Sequence, residues 1–294
     1  MIKHETVEKC VNAIMELKGA DELKEAVKRL QVFLKNKESN SLSDVTLPNY
    51  LWVAKRGGGI TTLVNAFTDY LYAAKAIEFC GTAKSFEFKL DYIAPEAYFS
   101  ELSRLYNTIS NLAGHNRFYK GIICINIDEW LEHISEGHFA KFLNYIANNN
   151  DKILTVFCIH TDARNVIESV ESFISSYIRL ETLTLQFPDS KELVEFMESQ
   201  YMQKKGFSLL ECAKKLLGET IVEIATGKQF NGFKSIIQLA DDILYKIHTM
   251  DLGNNKSISA EMLSCYSKDS NYVQRVKARI GTNKIIGFTD ERSK

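Results

Sequence analysis

Two short stretches hold residues whose types and spacing can do chemistry. In NYLWVAKRGGGITTLVNAF (Asn49 to Phe67), an apolar run from Tyr50 to Val53 leads into Gly57-Gly58-Gly59, then Thr61-Thr62 and an amphipathic segment. In GIICINIDEW (Gly121 to Trp130), a second apolar run ends in Asp128-Glu129, roughly seventy residues downstream of the glycines. A strand, a glycine-rich turn and a helix N-terminus form a site for phosphate, because backbone N–H groups and the helix dipole both favour an anion there. Thr61 would offer its hydroxyl to a magnesium ion. A strand-end Asp128 would hold the same ion while Glu129 polarised an attacking water. The plainer readings are a tight strand–helix turn and two solvated carboxylates at a strand end. Finding both stretches in this order favours phosphate. The pattern G-x-x-x-x-G-K-[ST] falls on Ala54 to Thr61, with Ala54 in place of the first glycine and Ile60 in place of the lysine.

The elements that must position these residues follow from periodicity. The chain of 294 residues is 45% hydrophobic and 25% charged, enough for a sizeable core in one large domain or two small ones. A net charge of −1 gives no general pull toward nucleic acid or membrane. Its six cysteines are scattered singly, without the close pairs of a zinc site. No apolar run approaches about 20 residues, and the reading is a cytoplasmic, non-membrane protein. Gly19 and Asp21 divide the first segment into two helices, with Asp21 as an N-cap. KESNSLSDVTLPN then reads as a linker. YLWVA, SFEFKL, GIICINI and KILTVFCI are strand candidates, and segments near 61–77, 95–113, 130–149 and 163–178 read as helices. Such alternation means βαβ units and a mainly parallel sheet covered on both faces. From FPDSKELVEFM onward no strand is expected, and helices run to about Lys246.

Several segments, in order, resemble AAA+ ATPases, most of all the SpoVK/CbbX-type family. LKGADELKEAVKRLQVFLK resembles that family's entry segment. VFCIHTDAR resembles its fourth-strand segment, QFPDSKELVEFM the opening of its helical lid, and FNGFKSIIQLADDI a lid helix. The resemblance runs from about Leu17 to about Lys246. It implies an α/β fold, a P-loop NTPase-like parallel sheet core with a helical lid. The expected division is 1–45 for N-terminal helices and linker, 46–188 for the core, 189–250 for the lid and 251–294 for a C-terminal tail. It also implies ATP or ADP with Mg²⁺ as cofactor, held by Gly57, Gly58, Gly59, Ile60, Thr61, Thr62 and Lys234. Thr61 and Asp128 would bind the metal, and Asp128 and Glu129 would serve catalysis.

The departures from the family pattern all remove positive charge. Ile60 replaces the phosphate-contacting lysine. The arginine finger falls on Ser176-Tyr177-Ile178, with Arg179 nearby, and the two lid arginines fall on Phe233 and Ile236, leaving Lys234 as the neighbouring cation. His160 or Thr161 takes the polar position at the end of the fourth strand. Lys55 or Arg56 could reach a phosphate from within the loop. The expectation is a nucleotide-binding-impaired or pseudo-ATPase subunit that assembles with a protein partner, with AAA+ paralogues or with itself. The alternative is an active ATPase that remodels a protein. Nucleic-acid binding finds little support, since no basic stripe with interleaved aromatics appears. Tyr98-Phe99 stands where relatives carry a pore aromatic, although such a pair is more often core. QRVKARIGTNKIIGF reads as a docking strip or a surface-lying tail. The six histidines show no ligand spacing beyond His133 and His138, which are too loosely placed for zinc.

Overall fold

The computed structural model of the chain describes residues 6–40, 46–77, 85–89, 121–128, 131, 134, 137–150, 153–227, 230–250 and 256–278. The chain divides into two units, Met1–Phe187 and Pro188–Lys294.

In the first unit, β1 (Asn49–Ala54) is buried at every position. A strand apolar on both faces belongs inside a parallel sheet with helices on each side. The sheet supplies that environment, with the strand order β2-β3-β4-β1-β5. Its other strands are β2 (Ser85–Lys89), β3 (Gly121–Asn126), β4 (Ile153–Ile159) and β5 (Leu180–Leu185), and every recorded pairing is parallel. Tyr50, Trp52 and Ala54 face one core with residues of α1 (Val7–Met15), α2 (Asp21–Asn40) and α3 (Ile60–Ala73). Leu51 and Val53 face the other, with residues of α4 (Gly137–Ala147) and α5 (Arg164–Ser175). The period-2 alternation of β1 thus feeds two separate apolar layers.

The four expected strands are present. The fifth, LETLTL, was not expected; its glutamate and two threonines weaken the apolar signal, and pairing with β1 along its whole length overrides that weak pattern. Asp21 is the first helical residue of α2 rather than its cap, and its carboxylate pairs with Lys24 Nζ at 3.0 Å. α2 continues through Asn40, so KESN belongs to the helix rather than to a linker. The helix expected near 130–149 begins only at Gly137. The segment near 95–113 lies outside the described residues.

The second unit opens with a reciprocal cap. Asp189 Oδ1 accepts the Glu192 N–H at 2.8 Å and Glu192 Oε2 accepts the Asp189 N–H at 3.2 Å, which starts α6 (Ser190–Met197). A wider turn, Glu198–Met202, follows it. There the buried Glu198 accepts the Leu209 N–H at 3.0 Å and pairs with Lys214 at 3.0 Å. α7 (Glu211–Ala225) and α8 (Gly232–His248) supply much of the apolar interior, and α9 (Asn271–Ala278) follows. The expectation of no strands after residue 188 is corrected by β6 (Ser208–Leu209) and β7 (Ser257–Ile258), a parallel pair. Two residues are too few to leave a periodicity in the sequence. No helix among the described residues is long and apolar enough to cross a membrane.

Adjacent residues of β1 make opposite predictions. Asn49 is fully buried; its Oδ1 accepts the Thr155 N–H at 2.9 Å, and its Nδ2 donates to Asn150 Oδ1 at 2.7 Å. Asn49→Ala removes both bonds from the interior and should lower unfolding free energy by about 1–3 kcal/mol. Tyr50 is also fully buried, but its hydroxyl has no hydrogen-bond partner among the described residues, and burial pushes its ionisation far above the ordinary phenol range. Tyr50→Phe keeps the ring packing and removes a desolvated hydroxyl, so stability should stay level or rise by up to about 1 kcal/mol. Urea unfolding of the two variants beside the wild type checks both; a loss in Tyr50→Phe as large as that in Asn49→Ala would refute the contrast.

Candidate phosphate and carboxylate site

Between β1 and α3 the chain turns within five residues. The Gly58 N–H donates to Lys55 O at 3.0 Å, closing a turn whose third residue, Gly57, has φ 78°. A positive φ at that position is what a type II turn requires and what glycine adopts freely. At Gly58 a Cβ would lie 3.0 Å from Lys55 O, a tight contact that would require the loop to shift by a few tenths of an ångström. Gly59, with φ 78° and ψ 24°, is left-handed and caps α3. Each of the three glycines thus answers a separate steric demand. The first intrahelical bond of α3 runs from the Leu63 N–H to Gly59 O at 3.1 Å, so the amides of Ile60, Thr61 and Thr62 precede it at the positive end of the helix. The side chains of Lys55, Arg56, Thr61 and Thr62 are exposed. Ile60 is partly buried and packs on the core shared by α1, α2 and α3. The position that the sequence pattern gives to a phosphate-binding lysine therefore holds an apolar side chain that lies against the core.

Strand register brings the carboxylate to the same edge of the sheet. Val53 pairs with Ile159, and Asn126 pairs with Cys158. One or two residues further on, Ala54, His160 and Asp128 lie level across three adjacent strands. With strands about 4.8 Å apart, Asp128 is about 10 Å from the start of the loop. The Asp128 N–H donates to Asn126 Oδ1 at 2.9 Å, a local turn that holds the backbone at the strand end. The carboxylate itself spans two strands. Its Oδ1 accepts the His160 N–H at 2.7 Å, and its Oδ2 lies 2.8 Å from His160 Nδ1. The two side chains are only 13% and 18% exposed respectively. Burial pushes the Asp128 carboxyl up, but the bonds from the His160 ring and amide outweigh it and hold it below the usual carboxylate range.

Of the two residues expected to supply the polar group at the end of β4, His160 engages Asp128. Thr161 Oγ1 instead accepts the Ala163 N–H at 3.1 Å, at the start of α5. Asn126 was not anticipated; the only trace of it in the sequence is the Asn-x-Asp spacing at a strand end. Glu129, Trp130 and Tyr98-Phe99 lie outside the described residues. So do His133 and the tail beyond Ala278, while QRVKA forms the end of α9. Arg179 stands before β5, at the edge of the sheet opposite the loop, where its guanidinium donates to Thr46 O at 3.5 Å. In the second unit Lys234 is exposed on the first turn of α8. Its neighbours there are apolar and packed: Phe233 meets Phe196 edge-to-face at 4.8 Å between ring centroids, and Ile236 is fully buried.

The two groups expected here fit unequally. A phosphate finds a backbone cradle and a helix N-terminus without the lysine. A magnesium ion seeks an open carboxylate, and both oxygens of Asp128 already accept from His160. Among the described residues no group of three or more His, Cys, Asp or Glu gathers in the manner of a metal site.

Asp128→Ala should lower stability at neutral pH by about 1.5–3 kcal/mol, as for hydrogen bonds to a charged group. The folded-state value of this carboxyl lies below its unfolded one, so its contribution is complete above the unfolded value of about 3.9 and fades as pH falls through the lower folded value. Thermal melts of wild type and variant should therefore differ at pH 7 and converge in strong acid. A difference that persists unchanged to pH 2 would disprove the ionised carboxylate.

No protein-family model and no curated protein sequence matches the chain. Solved structures do match it. The RuvB Holliday junction branch migration motor of Thermotoga maritima superposes with a TM-score of 0.52 at 10% identity, over 83% of this chain and 67% of that one. PCH-2 of C. elegans superposes with a TM-score of 0.51 at 13% identity, over 88% of this chain and 68% of that one. The chain spans about two thirds of the length of each. Identities this low speak to architecture alone: a parallel sheet core with surrounding helices, the α/β fold of AAA+ P-loop NTPases.

Proposed function

We propose that this chain is a AAA+ family subunit of the SpoVK/CbbX type with a degenerate nucleotide site. It holds ATP or ADP weakly at Gly57, Gly58, Gly59 and Thr61, does not turn ATP over at an enzymatic rate, and acts by assembling with like subunits or a protein partner. The observation that carries this reading is the β1–α3 loop. Its backbone has the positive-φ glycines and the leading helix amides of a phosphate cradle, while the position of the lysine holds Ile60, partly buried against the core. Phe233 and Ile236 support the same conclusion, since both positions that resemble lid arginines carry apolar side chains packed in their own unit.

Magnitudes separate binding from hydrolysis. A charge-assisted hydrogen bond contributes about 1.5–3 kcal/mol, so losing the lysine weakens nucleotide binding on the order of tenfold to a hundredfold. An arginine finger accelerates phosphoryl transfer by about 10³–10⁵. Lacking the lysine and both lid arginines, the site keeps some affinity for a phosphate and little means of stabilising the charge that develops in the transition state. Exposed Lys55 and Arg56 partly offset the loss in binding. The net charge of −1 lends no support to a role on DNA like that of RuvB.

Two assays test the proposal. Phosphate release from ATP should stay at background for the wild type. Calorimetric titration should show weak ATP and ADP binding that Ile60→Lys tightens by about tenfold to a hundredfold. Wild-type turnover near 1 s⁻¹ or faster, within the ordinary range of enzymes, would sink it.

A further inference from the structure

We infer that Asp128 is committed to His160 and is not a ligand of a divalent cation, so that a nucleotide in the glycine loop is bound through its phosphates without magnesium. This rests on the proposed nucleotide site and specifies the form of ligand that site takes. Three features of the sheet edge carry it.

The first is geometry. Asp128 Oδ1 receives the His160 main-chain N–H at 2.7 Å and Oδ2 meets Nδ1 of the same residue at 2.8 Å, so one residue engages one lone pair on each oxygen. The second is rigidity. His160 directly follows β4, whose register with β3 sets it beside Asp128, and the Asn126 side chain fixes the Asp128 backbone from the other side. The two backbones are thereby held level, which keeps the side chains within reach of each other. The third is access. The Asp128 side chain is 13% exposed and the His160 side chain 18%, so little of the pair faces solvent. Magnesium demands near-octahedral oxygen ligation and gives up its waters reluctantly, so it does not displace an imidazole from a largely covered carboxylate at low cost.

The positive charge that a phosphate needs has other sources here. The amides of Ile60, Thr61 and Thr62 stand at the N-terminus of a 14-residue helix, and Lys55 and Arg56 are exposed within the loop. The ligand class that fits is a metal-free nucleoside diphosphate or triphosphate.

The test uses the full chain with ADP, and with Mn²⁺ as a paramagnetic stand-in for Mg²⁺. ADP affinity should agree within about twofold between buffers containing EDTA and Mg²⁺, whereas a magnesium-dependent site would lose about tenfold or more in EDTA. Electron paramagnetic resonance should show no Mn²⁺ bound by the wild type, with or without ADP. His160→Ala should gain an ADP-dependent Mn²⁺ site, and adding Asp128→Asn should abolish it. Tighter ADP binding in Mg²⁺ than in EDTA, or wild-type Mn²⁺ binding that Asp128→Asn removes, overturns the inference. A folded His160→Ala chain that binds ADP and still excludes Mn²⁺ overturns the role given to His160. Should that variant fail to fold, the two wild-type measurements decide alone. If ADP does not bind in either buffer, the nucleotide-site reading falls, and the Mn²⁺ titration of the wild type against Asp128→Asn still decides whether Asp128 takes a metal.

Discussion

Strand β1 runs between two parallel neighbours, hydrogen-bonded along both edges and packed on both faces, so neither its position nor its register can drift. The glycine loop leaves from its end, and α3 returns over the face lined by Tyr50 and Trp52. A one-residue slip would exchange the two apolar layers and expose both. Because β1 is locked, the loop is locked, and β4 beside it carries His160 to the same level. Asp128 meets His160 from β3. The candidate site is therefore a property of the sheet's C-terminal edge, where ligands of open α/β sheets bind.

Along that edge, polar groups are spent on one another. Asp128 ties β3 to β4 through His160, Asn126 holds the Asp128 backbone, and the Thr161 hydroxyl meets the first turn of α5. Positions where the family resemblance implies a cation hold Ile60, Phe233 and Ile236, each packed on apolar neighbours. Burying such side chains contributes to stability in proportion to area. A lysine or arginine at the same place would have to keep its charge in water. At these three positions packing stands where the resemblance would place a charge.

This balance separates architecture from activity. A phosphate cradle is mostly main chain, and glycines at positive φ with a helix behind them maintain it whatever the neighbouring side chains do. Phosphoryl transfer depends on charged side chains and metal placed at the reacting oxygens. The first can persist after the second is gone.

Where local pattern and burial agree, the sequence alone was sufficient. NYLWVA, GIICIN and ILTVFCI are apolar but for Asn49, Asn126 and Thr155, the pattern of strands buried on both faces, and the glycines and Asp128 stand at their ends. The capping box in FPDSKEL joins Asp189 and Glu192, three positions apart, so its signal is local. Other features depended on partners distant in the chain. LETLTL is a strand because β1 offers it an edge, and the two-residue β6 and β7 exist only as a pair. No spacing in the sequence could reveal that His160 closes over Asp128, because 32 residues separate them and only parallel register makes them neighbours. Nor could it show that Ile60 faces a core. Residue types and short spacings are written locally and determined most of the elements and the glycine turn. Which polar groups satisfy one another was decided by tertiary structure, since hydrogen bonds and burial are settled between strands brought together by folding.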